Sequence, residues 1–387
     1  MVHKEFDDVV YGATGFTGRL VAEYLSHAST GSAPKWAMAG RNCAKLAEVR
    51  DLIGAPKEIP LIEADASSPA SLKAMCARTK VVLTTVGPYQ LYGTPLVSAC
   101  AETGTDYVDL CGEPNWIREM IETYDDAAKK SGARIVISAG FDSIPSDLGV
   151  WFLQQEAIRR FGAPAPRVKG RVRKMKGGAS GGTLASMKEV MRAGMKNPSL
   201  LKIMGSPFAL TPGFEGPAQP SGMVPEYDRS AGVWVVPFVM APINTKNVHR
   251  TNFLLGHPYG KDFVYDEMMY TTLGEAASAL VDAAAKMNPF AGKGLKPGEG
   301  PSKEERETGF YDIVHIGEYP DGRRLQIAVK GDRDPGYGST SKMIAQAALA
   351  LGETKSGGGV FTPGGVIAAP LVDRLQKYSG VTFTVES

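Results

Sequence analysis

Two sets of residues in this chain are typed and spaced for chemistry: a glycine-rich loop suited to a phosphate ester, and phenol and carboxyl groups suited to moving a proton. The loop is Gly12-Ala13-Thr14-Gly15-Phe16-Thr17-Gly18, directly after the apolar run Val9-Val10-Tyr11. A buried strand that meets three such glycines and then a helix seats a dinucleotide pyrophosphate. The first glycine makes a tight turn, the second lets the main chain approach the phosphates, and the third lets helix and strand pack closely. The helix expected over Gly15 to Ser26 turns its first amides toward the anion. Gly12, Thr14, Gly15, Phe16, Thr17 and Gly18 are therefore the expected pyrophosphate cradle.

The next strand, Trp36-Ala37-Met38-Ala39, ends in Gly40-Arg41-Asn42. A chain that binds NAD usually places an Asp or Glu near this point to accept hydrogen bonds from the ribose hydroxyls. No acid lies between Lys35 and Lys45. Arg41, with Asn42 beside it, instead offers a planar fork matched to a 2′-phosphate, so the expected cofactor is NADP(H). Asp65 ends the third strand and either reaches the adenine edge or caps the helix from Ser67. The fourth strand ends in Thr84-Thr85-Val86-Gly87-Pro88-Tyr89, at the carboxyl edge of the sheet where ligands bind. Gly87 permits close backbone approach and Pro88 stiffens the turn, which places Val86, Gly87 and Pro88 at the cofactor.

The groups suited to proton transfer come from the same sheet edge. Tyr89 either meets the nicotinamide or substrate and donates a proton, or packs over its own loop. The fifth strand ends in Tyr107-Val108-Asp109-Leu110-Cys111-Gly112-Glu113, where two acids straddle a glycine turn. At least one of them is expected near the cofactor, although Glu113 also suits the dipole of the helix holding Trp116. The sixth strand closes in Gly140-Phe141-Asp142-Ser143-Ile144-Pro145. There Asp142 or Ser143 caps the following helix, and a catalytic role for Asp142 would be additional. Tyr89 is the first choice as proton donor, with Glu113 and Asp142 as alternatives. Further on, Arg167, Lys169, Arg171 and Arg173 recur at strand spacing and lead into the glycine-rich run from Lys176 to Thr183. These cations form either a solvated strand face or a receiver for the phosphate of a CoA- or carrier-bound substrate.

The remaining composition narrows the function classes. His3, His27, His249, His257 and His315 have no metal-ligand spacing, and neither GxSxG nor HExxH occurs; no metal is expected. A formal net charge of +2 gives no case for nucleic acid. The four cysteines lie in the first third without CxxC spacing, which suits free thiols in a reducing compartment. The chain enters its first strand with no room for a signal peptide. Its longest apolar stretch, Gly232 to Ile243, is too short to span a bilayer and contains Pro237 and Pro242. The expected location is cytoplasmic, with peripheral contact to a membrane or lipid surface left open.

The elements that must hold these residues follow from periodicity. Apolar runs at Val9–Tyr11, Trp36–Ala39, Ile59–Ile62, Val81–Val86, Tyr107–Leu110 and Ile135–Ser138 alternate with helical patterns. This predicts an α/β fold, a doubly wound parallel sheet covered on both faces. The 387 residues exceed one ordinary core. The expected division is a nucleotide-binding domain over 1–145, an inserted α+β substrate domain on a mixed sheet over 146–350, and a C-terminal segment over 351–387 whose return to the first domain is left open. Strands are expected in the second domain at Val168–Met175, Val233–Met240, Thr251–Leu255, Phe310–Glu318 and Arg324–Val329, with a surface loop at Pro289–Arg306. Trp234, Phe238, Met240, Met268, Met269 and Tyr270 either line an apolar cavity or form core.

Taken together, the glycine loop, Gly40-Arg41, Thr85–Tyr89, Tyr107–Glu113, Gly140–Asp147 and Gly331–Gly338 resemble the saccharopine dehydrogenase-like oxidoreductase family. The likeness is to its branch containing the mycobacterial trans-acting enoyl reductases and the animal saccharopine dehydrogenase-like protein. The resemblance implies a Rossmann NADP-binding domain, an inserted α/β domain and, in the mycobacterial branch, reduction of a carbon–carbon double bond in polyketide-type lipid synthesis. The expected partners are NADPH, a lipid-like acyl substrate, free or carried on CoA or a carrier protein, and a second copy of the chain. Two other functions stay open: an amino- or keto-acid dehydrogenase, and an NADPH-binding protein that works at lipid surfaces with little catalysis.

Overall fold

The first six strands of the computed structural model build one parallel sheet, and the residues of each strand show why. The model describes residues 4–27, 34–178, 180–197, 199–271 and 298–386. Strands β1 (Phe6–Tyr11), β2 (Trp36–Gly40), β4 (Thr79–Thr84), β5 (Asp106–Val108) and β6 (Arg134–Val136) are almost wholly buried, and β3 (Leu61–Glu63) forms the more exposed edge. Such strands fit only a sheet covered on both faces. Phe16–His27, Cys43–Leu52, Pro69–Arg78, Thr94–Thr103 and Pro114–Ser131 are the covering helices. Several ends follow local chemistry. Asn42 and Ser68 cap helix starts through their side chains, while Gly104 and Gly132 end helices in the left-handed conformation.

The second sheet is mixed. It holds β7 (Arg167–Lys176), β8 (Glu226–Asp228), β9 (Val233–Pro237), β10 (Val264–Tyr270), β11 (Phe310–Glu318) and β12 (Arg324–Gly331). Its seventh strand is β14 (Val381–Val385), and the order is β14-β12-β11-β7-β10-β9-β8. Only β7 and β10 pair in parallel; the other pairs are antiparallel. The expected strand at Thr251–Leu255 is instead the end of a helix, Ala241–Leu254. Its β-branched and aromatic residues suggested a strand, but Thr251 is a buried helical residue whose hydroxyl donates to Asp147 Oδ1 at 2.5 Å. Of the apolar residues considered for a cavity, Phe238 and Met268 are packed into core and Trp234 is 45% exposed. The expected loop at Pro289–Arg306 lies partly outside the described residues, and its end enters a short helix, Lys303–Thr308, opened by a capping box of Ser302 and Glu305.

The two sheets share elements. The helix Ile144–Phe161 leaves the first sheet and packs under β11 and β12. It fits so closely that a Cβ on Gly149 would stand 2.3 Å from His315 Nε2. After β12 the chain returns, and the helix Thr340–Glu353 packs on β1, β4 and β5. Strand β13 (Gly359–Phe361) then joins the first sheet beside β6, completing the order β13-β6-β5-β4-β1-β2-β3. The helix Ala368–Tyr378 leads into β14, back on the second sheet. Asp147 fastens this return, accepting from Thr251 and from the Gly364 amide at 2.7 Å. Among the described residues no helix is long and apolar enough to cross a membrane. The four cysteines are free thiols, with Cys76 and Cys100 Sγ atoms 3.6 Å apart.

One buried acid makes stability depend on pH. Asp8 in β1 is buried, and its Oδ1 has no hydrogen-bond partner. Burial, with Asp7 adding repulsion, pushes its carboxyl up to about 7. Between about pH 4 and that value the unfolded chain ionises Asp8 while the folded chain keeps the proton, so stability falls as pH rises. Asp8→Asn should therefore stabilise the protein by about 1–2 kcal/mol at pH 8 and change little at pH 4. Thermal melts at the two pH values check this; no gain at pH 8 would contradict it.

Candidate active site

The glycine loop is shaped by steric exclusion. Gly12 has φ of 85°, and a Cβ there would lie 2.5 Å from Val86 Cγ2. A Cβ on Gly18 would lie 2.2 Å from the Gly12 carbonyl oxygen, so the helix can approach β1 only with glycine at that position. The Gly15 amide donates to Gly12 O at 2.9 Å. Thr14 and Gly15 are exposed, Thr17 lies in the first helical turn, and that turn carries no acid. This geometry leaves an exposed helix start with its positive dipole end open to an anion. Phe16 behaves differently. Its ring meets Tyr337 edge-on at 5.2 Å, and the Arg19 and Arg306 guanidiniums lie 5.7 and 5.6 Å from its centroid. It joins the loop to the second sheet's side of the molecule.

At the far end of the same edge, Arg41 is exposed beyond β2. Asn42 is committed to the helix it caps, accepting the Lys45 amide at 3.0 Å. Asp65 accepts the Ser67 amide and hydroxyl at 2.8 Å each. Those bonds, with a smaller attraction from Arg41, hold its carboxyl below the usual range. The two side chains that sequence spacing placed at the adenosine end thus lie close enough to feel each other's charge.

The groups expected to move protons separate into structural and open ones. Tyr89 is 5% exposed. Its hydroxyl donates to Thr84 O at 3.4 Å and accepts the Leu110 amide at 3.1 Å, and burial raises its pKa well above the usual value. Glu113 accepts the Tyr89 and Gln90 amides at 2.9 Å each, gripping the first turn of the short helix Tyr89–Tyr92. Asp109 accepts Tyr107 OH at 2.8 Å and the Cys111 and Ser138 amides at 2.9 and 2.8 Å, tying together the ends of β5 and β6. Burial pushes its carboxyl up to about 7 despite those bonds.

Asp142 is the open group. Among the described residues nothing donates to its carboxylate, and burial pushes its pKa up to about 6. Its Oδ2 stands 3.6 Å from the Cβ position on Gly112. The Gly87–Pro88 peptide is cis. The Cβ position on Gly87 stands 3.5 Å from Ser186 Oγ, on the helix Gly181–Lys196 that crosses from the other side. From that helix Thr183 Oγ1 meets Tyr337 OH at 2.7 Å. Gly87, Gly112, Asp142, Ser186, Thr183 and Tyr337 thus converge where the first sheet's carboxyl edge meets the inserted unit. Sequence reasoning missed Thr183, Ser186 and Tyr337. The one available signal was Tyr337 standing alone between two glycines in Pro335-Gly336-Tyr337-Gly338.

The four cations considered as a phosphate receiver are paired with acids inside the protein. Arg171 is 0% exposed, bonding Asp228 at 3.2 Å and Asp266 at 2.8 Å. Arg167 pairs with Asp266, Lys169 with Glu318 at 3.1 Å, and Arg173 with Asp312 and Glu386 at 2.7 Å. Acids on β8, β10, β11 and near the chain end neutralise these four cations, because the neighbouring strands present carboxylates beside them. At the nucleotide end, by contrast, Arg41 is exposed and in reach of a ligand. Arg41→Ala should weaken NADPH binding about tenfold or more and leave NADH binding nearly unchanged, since a charge-assisted bond is worth about 1.5–3 kcal/mol. Fluorescence titration with both nucleotides checks this, and equal losses would contradict it.

Comparison with known proteins agrees with this geometry. Residues 9–136 match the family model described as the saccharopine dehydrogenase NADP binding domain. The chain is 38% identical over 407 residues to the trans-acting enoyl reductase of Mycobacterium tuberculosis, covering 96% of each protein. It is 37% identical over 409 residues to that of Mycobacterium ulcerans, covering 97% of this chain and 96% of the relative. Among solved structures, a saccharopine dehydrogenase (L-Glu forming) of Saccharomyces cerevisiae aligns over 99% of this chain and 100% of its own, with a TM-score of 0.55 at 11% identity. At that identity the likeness speaks for the fold alone. The exposed helix start, the two glycines that leave no room for a side chain and the free guanidinium beyond β2 are what a phosphorylated dinucleotide requires. The chain is an NADP-dependent oxidoreductase of the saccharopine dehydrogenase-like family, in the branch that includes the trans-acting enoyl reductases.

Proposed function

We propose that this protein reduces the carbon–carbon double bond of a conjugated 2-enoyl thioester with a lipid-like acyl chain. The observation that carries the reading is identity of 37–38% along almost the whole length to proteins named for enoyl reduction, the inserted unit included. NADPH, when bound, supplies the hydride for such a reduction. The chain's own residues do the rest. The amides from Phe16 onward and the N-terminal dipole of the helix Phe16–His27 receive the pyrophosphate, and Arg41 receives the 2′-phosphate. Gly87 and Gly112 keep the floor of the cleft bare, so planar groups can lie against main chain. Of the three acid candidates, Asp142 is the one whose carboxylate is not already bonded within the protein. Above about pH 6 it is ionised and accepts hydrogen bonds from whatever enters beside Gly112. Tyr89 and Glu113 act by fixing the loop that carries cis-Pro88.

Loss of NADPH absorbance, followed with separate enoyl-CoA, 2-keto-acid and imine substrates, tests this reading. Turnover is expected with the enoyl thioesters and should exceed that with keto acids or imines by at least about tenfold. Preference for a keto acid or imine would make the protein an amino- or keto-acid dehydrogenase. Tight NADPH binding with no turnover on any substrate would make it a binding protein rather than a reductase.

A further inference from the structure

Reduction of an enoyl group needs a proton as well as a hydride, and Tyr89, the first choice on sequence, has its hydroxyl bonded to Thr84 O and the Leu110 amide. We propose that Tyr337, acting with Thr183, is the acid that protonates the α-carbon. This rests on the enoyl reading above and adds the residue that completes the reaction.

Three features single Tyr337 out. The first is rigid placement. It lies in the π-helical turn Pro335–Ser339, where Asp334 accepts the Tyr337 amide at 3.0 Å and the Gly338 amide at 2.6 Å. Thr340 Oγ1 donates to Pro335 O at 2.8 Å and accepts the Phe141 amide at 3.0 Å, bolting the turn to the segment that carries Asp142. A turn interrupted in this way often marks a functional position. The second is location. The ring is 3% exposed and stands edge-on to Phe16 of the glycine loop, and its hydroxyl meets a helix whose Ser186 closes on Gly87. The third is the partner. The Tyr89 proton is directed at a backbone carbonyl, whereas Tyr337 OH meets the Thr183 hydroxyl at 2.7 Å and is also bonded by Ser180, and Thr183 is exposed. A hydroxyl pair of this kind passes a proton in either direction and connects a buried phenol to water.

The electrostatics suit a donor that must arrive protonated. Burial, with the Asp142 charge adding to it, raises the Tyr337 pKa, while the Ser180 and Thr183 hydroxyls oppose the rise and would stabilise the phenolate. The step balances. Hydride adds to the β-carbon, and the π electrons of the double bond move onto the α-carbon and carbonyl as an enolate. The enolate's electron pair then takes the Tyr337 proton at the α-carbon, forming the C–H bond as the O–H bond breaks. The phenolate regains a proton from Thr183, which takes one from water. The thioester gains two electrons and NADPH loses them.

The test uses NADPH with crotonyl-CoA for rates and 2-methylcrotonyl-CoA for stereochemistry, comparing wild type, Tyr337→Phe and Thr183→Val. Tyr337→Phe should lower kcat by about a hundredfold and keep NADPH affinity, read by fluorescence titration, within about twofold. It should also turn a single 2-methylbutyryl enantiomer into a mixture, as water protonates both faces. Thr183→Val, at an exposed first-turn position, should lower kcat by roughly tenfold with the same NADPH affinity. Unchanged kcat or undiminished stereochemical purity in Tyr337→Phe overturns the proposal. Should that variant not fold, unchanged kcat in Thr183→Val overturns it instead. Wild type that binds NADPH and reduces neither these thioesters nor trans-2-hexadecenoyl-CoA overturns the enoyl reading itself, and the proton donor with it.

Discussion

The close approach of the first helix to β1 is the constraint on which the rest of the molecule depends. The Cβ position of Gly18 falls within covalent-like distance of the Gly12 carbonyl, and that of Gly12 falls on the Val86 side chain. Any larger residue would lift the helix start, with its exposed amides, away from the sheet edge. That contact fixes Phe16, and Phe16 in turn fixes the Tyr337 ring that faces it. The first turn of the glycine loop thus meets the turn that follows β12 through one aromatic contact.

Buried carboxylates hold the rest of the cleft in shape. Glu113 grips the turn after cis-Pro88, Asp109 ties the ends of β5 and β6, and Asp147 fastens the C-terminal return beside Thr251 and Gly364. Each accepts backbone amides that would otherwise be left unsatisfied where strands stop. Asp109 and Asp147 are held near neutrality by burial, so their hydrogen bonds only partly offset desolvation. Asp142 differs in having no donor, which is why it reads as a ligand group rather than a knot. The same logic explains the basic strand. Arg171 is buried between Asp228 and Asp266, and removing either acid would leave an uncompensated charge.

The inserted unit does not hang from a simple linker. The helix Ile144–Phe161 belongs to both cores, and the chain then crosses back twice, once to place Thr340–Glu353 and β13 on the first sheet and once to place β14 on the second. The cleft is thus walled by segments far apart in sequence. Thr183 meets Tyr337 at 2.7 Å and the Asp142 charge acts on Tyr337, although the three residues lie far apart in sequence. Such a site cannot form from the nucleotide-binding half alone.

The sequence by itself determined the parallel sheet, the glycine loop and the cofactor's phosphate, because these depend on local rules. Continuous apolar runs must be buried on both faces, glycines are required where a Cβ would collide, and an arginine with no acid near it in sequence suits a 2′-phosphate. Tertiary structure alone decided which acids are free. Asp109, Glu113 and Asp142 look alike along the chain, and only the amides folded around the first two show that they are already satisfied. It also decided that Thr251 lies in a helix, since the burial and the Asp147 bond that hold it there come from other segments. The pairing of Thr183 with Tyr337 spans 154 residues. No spacing rule reaches that far, because the contact is set by how two sheets close on one another.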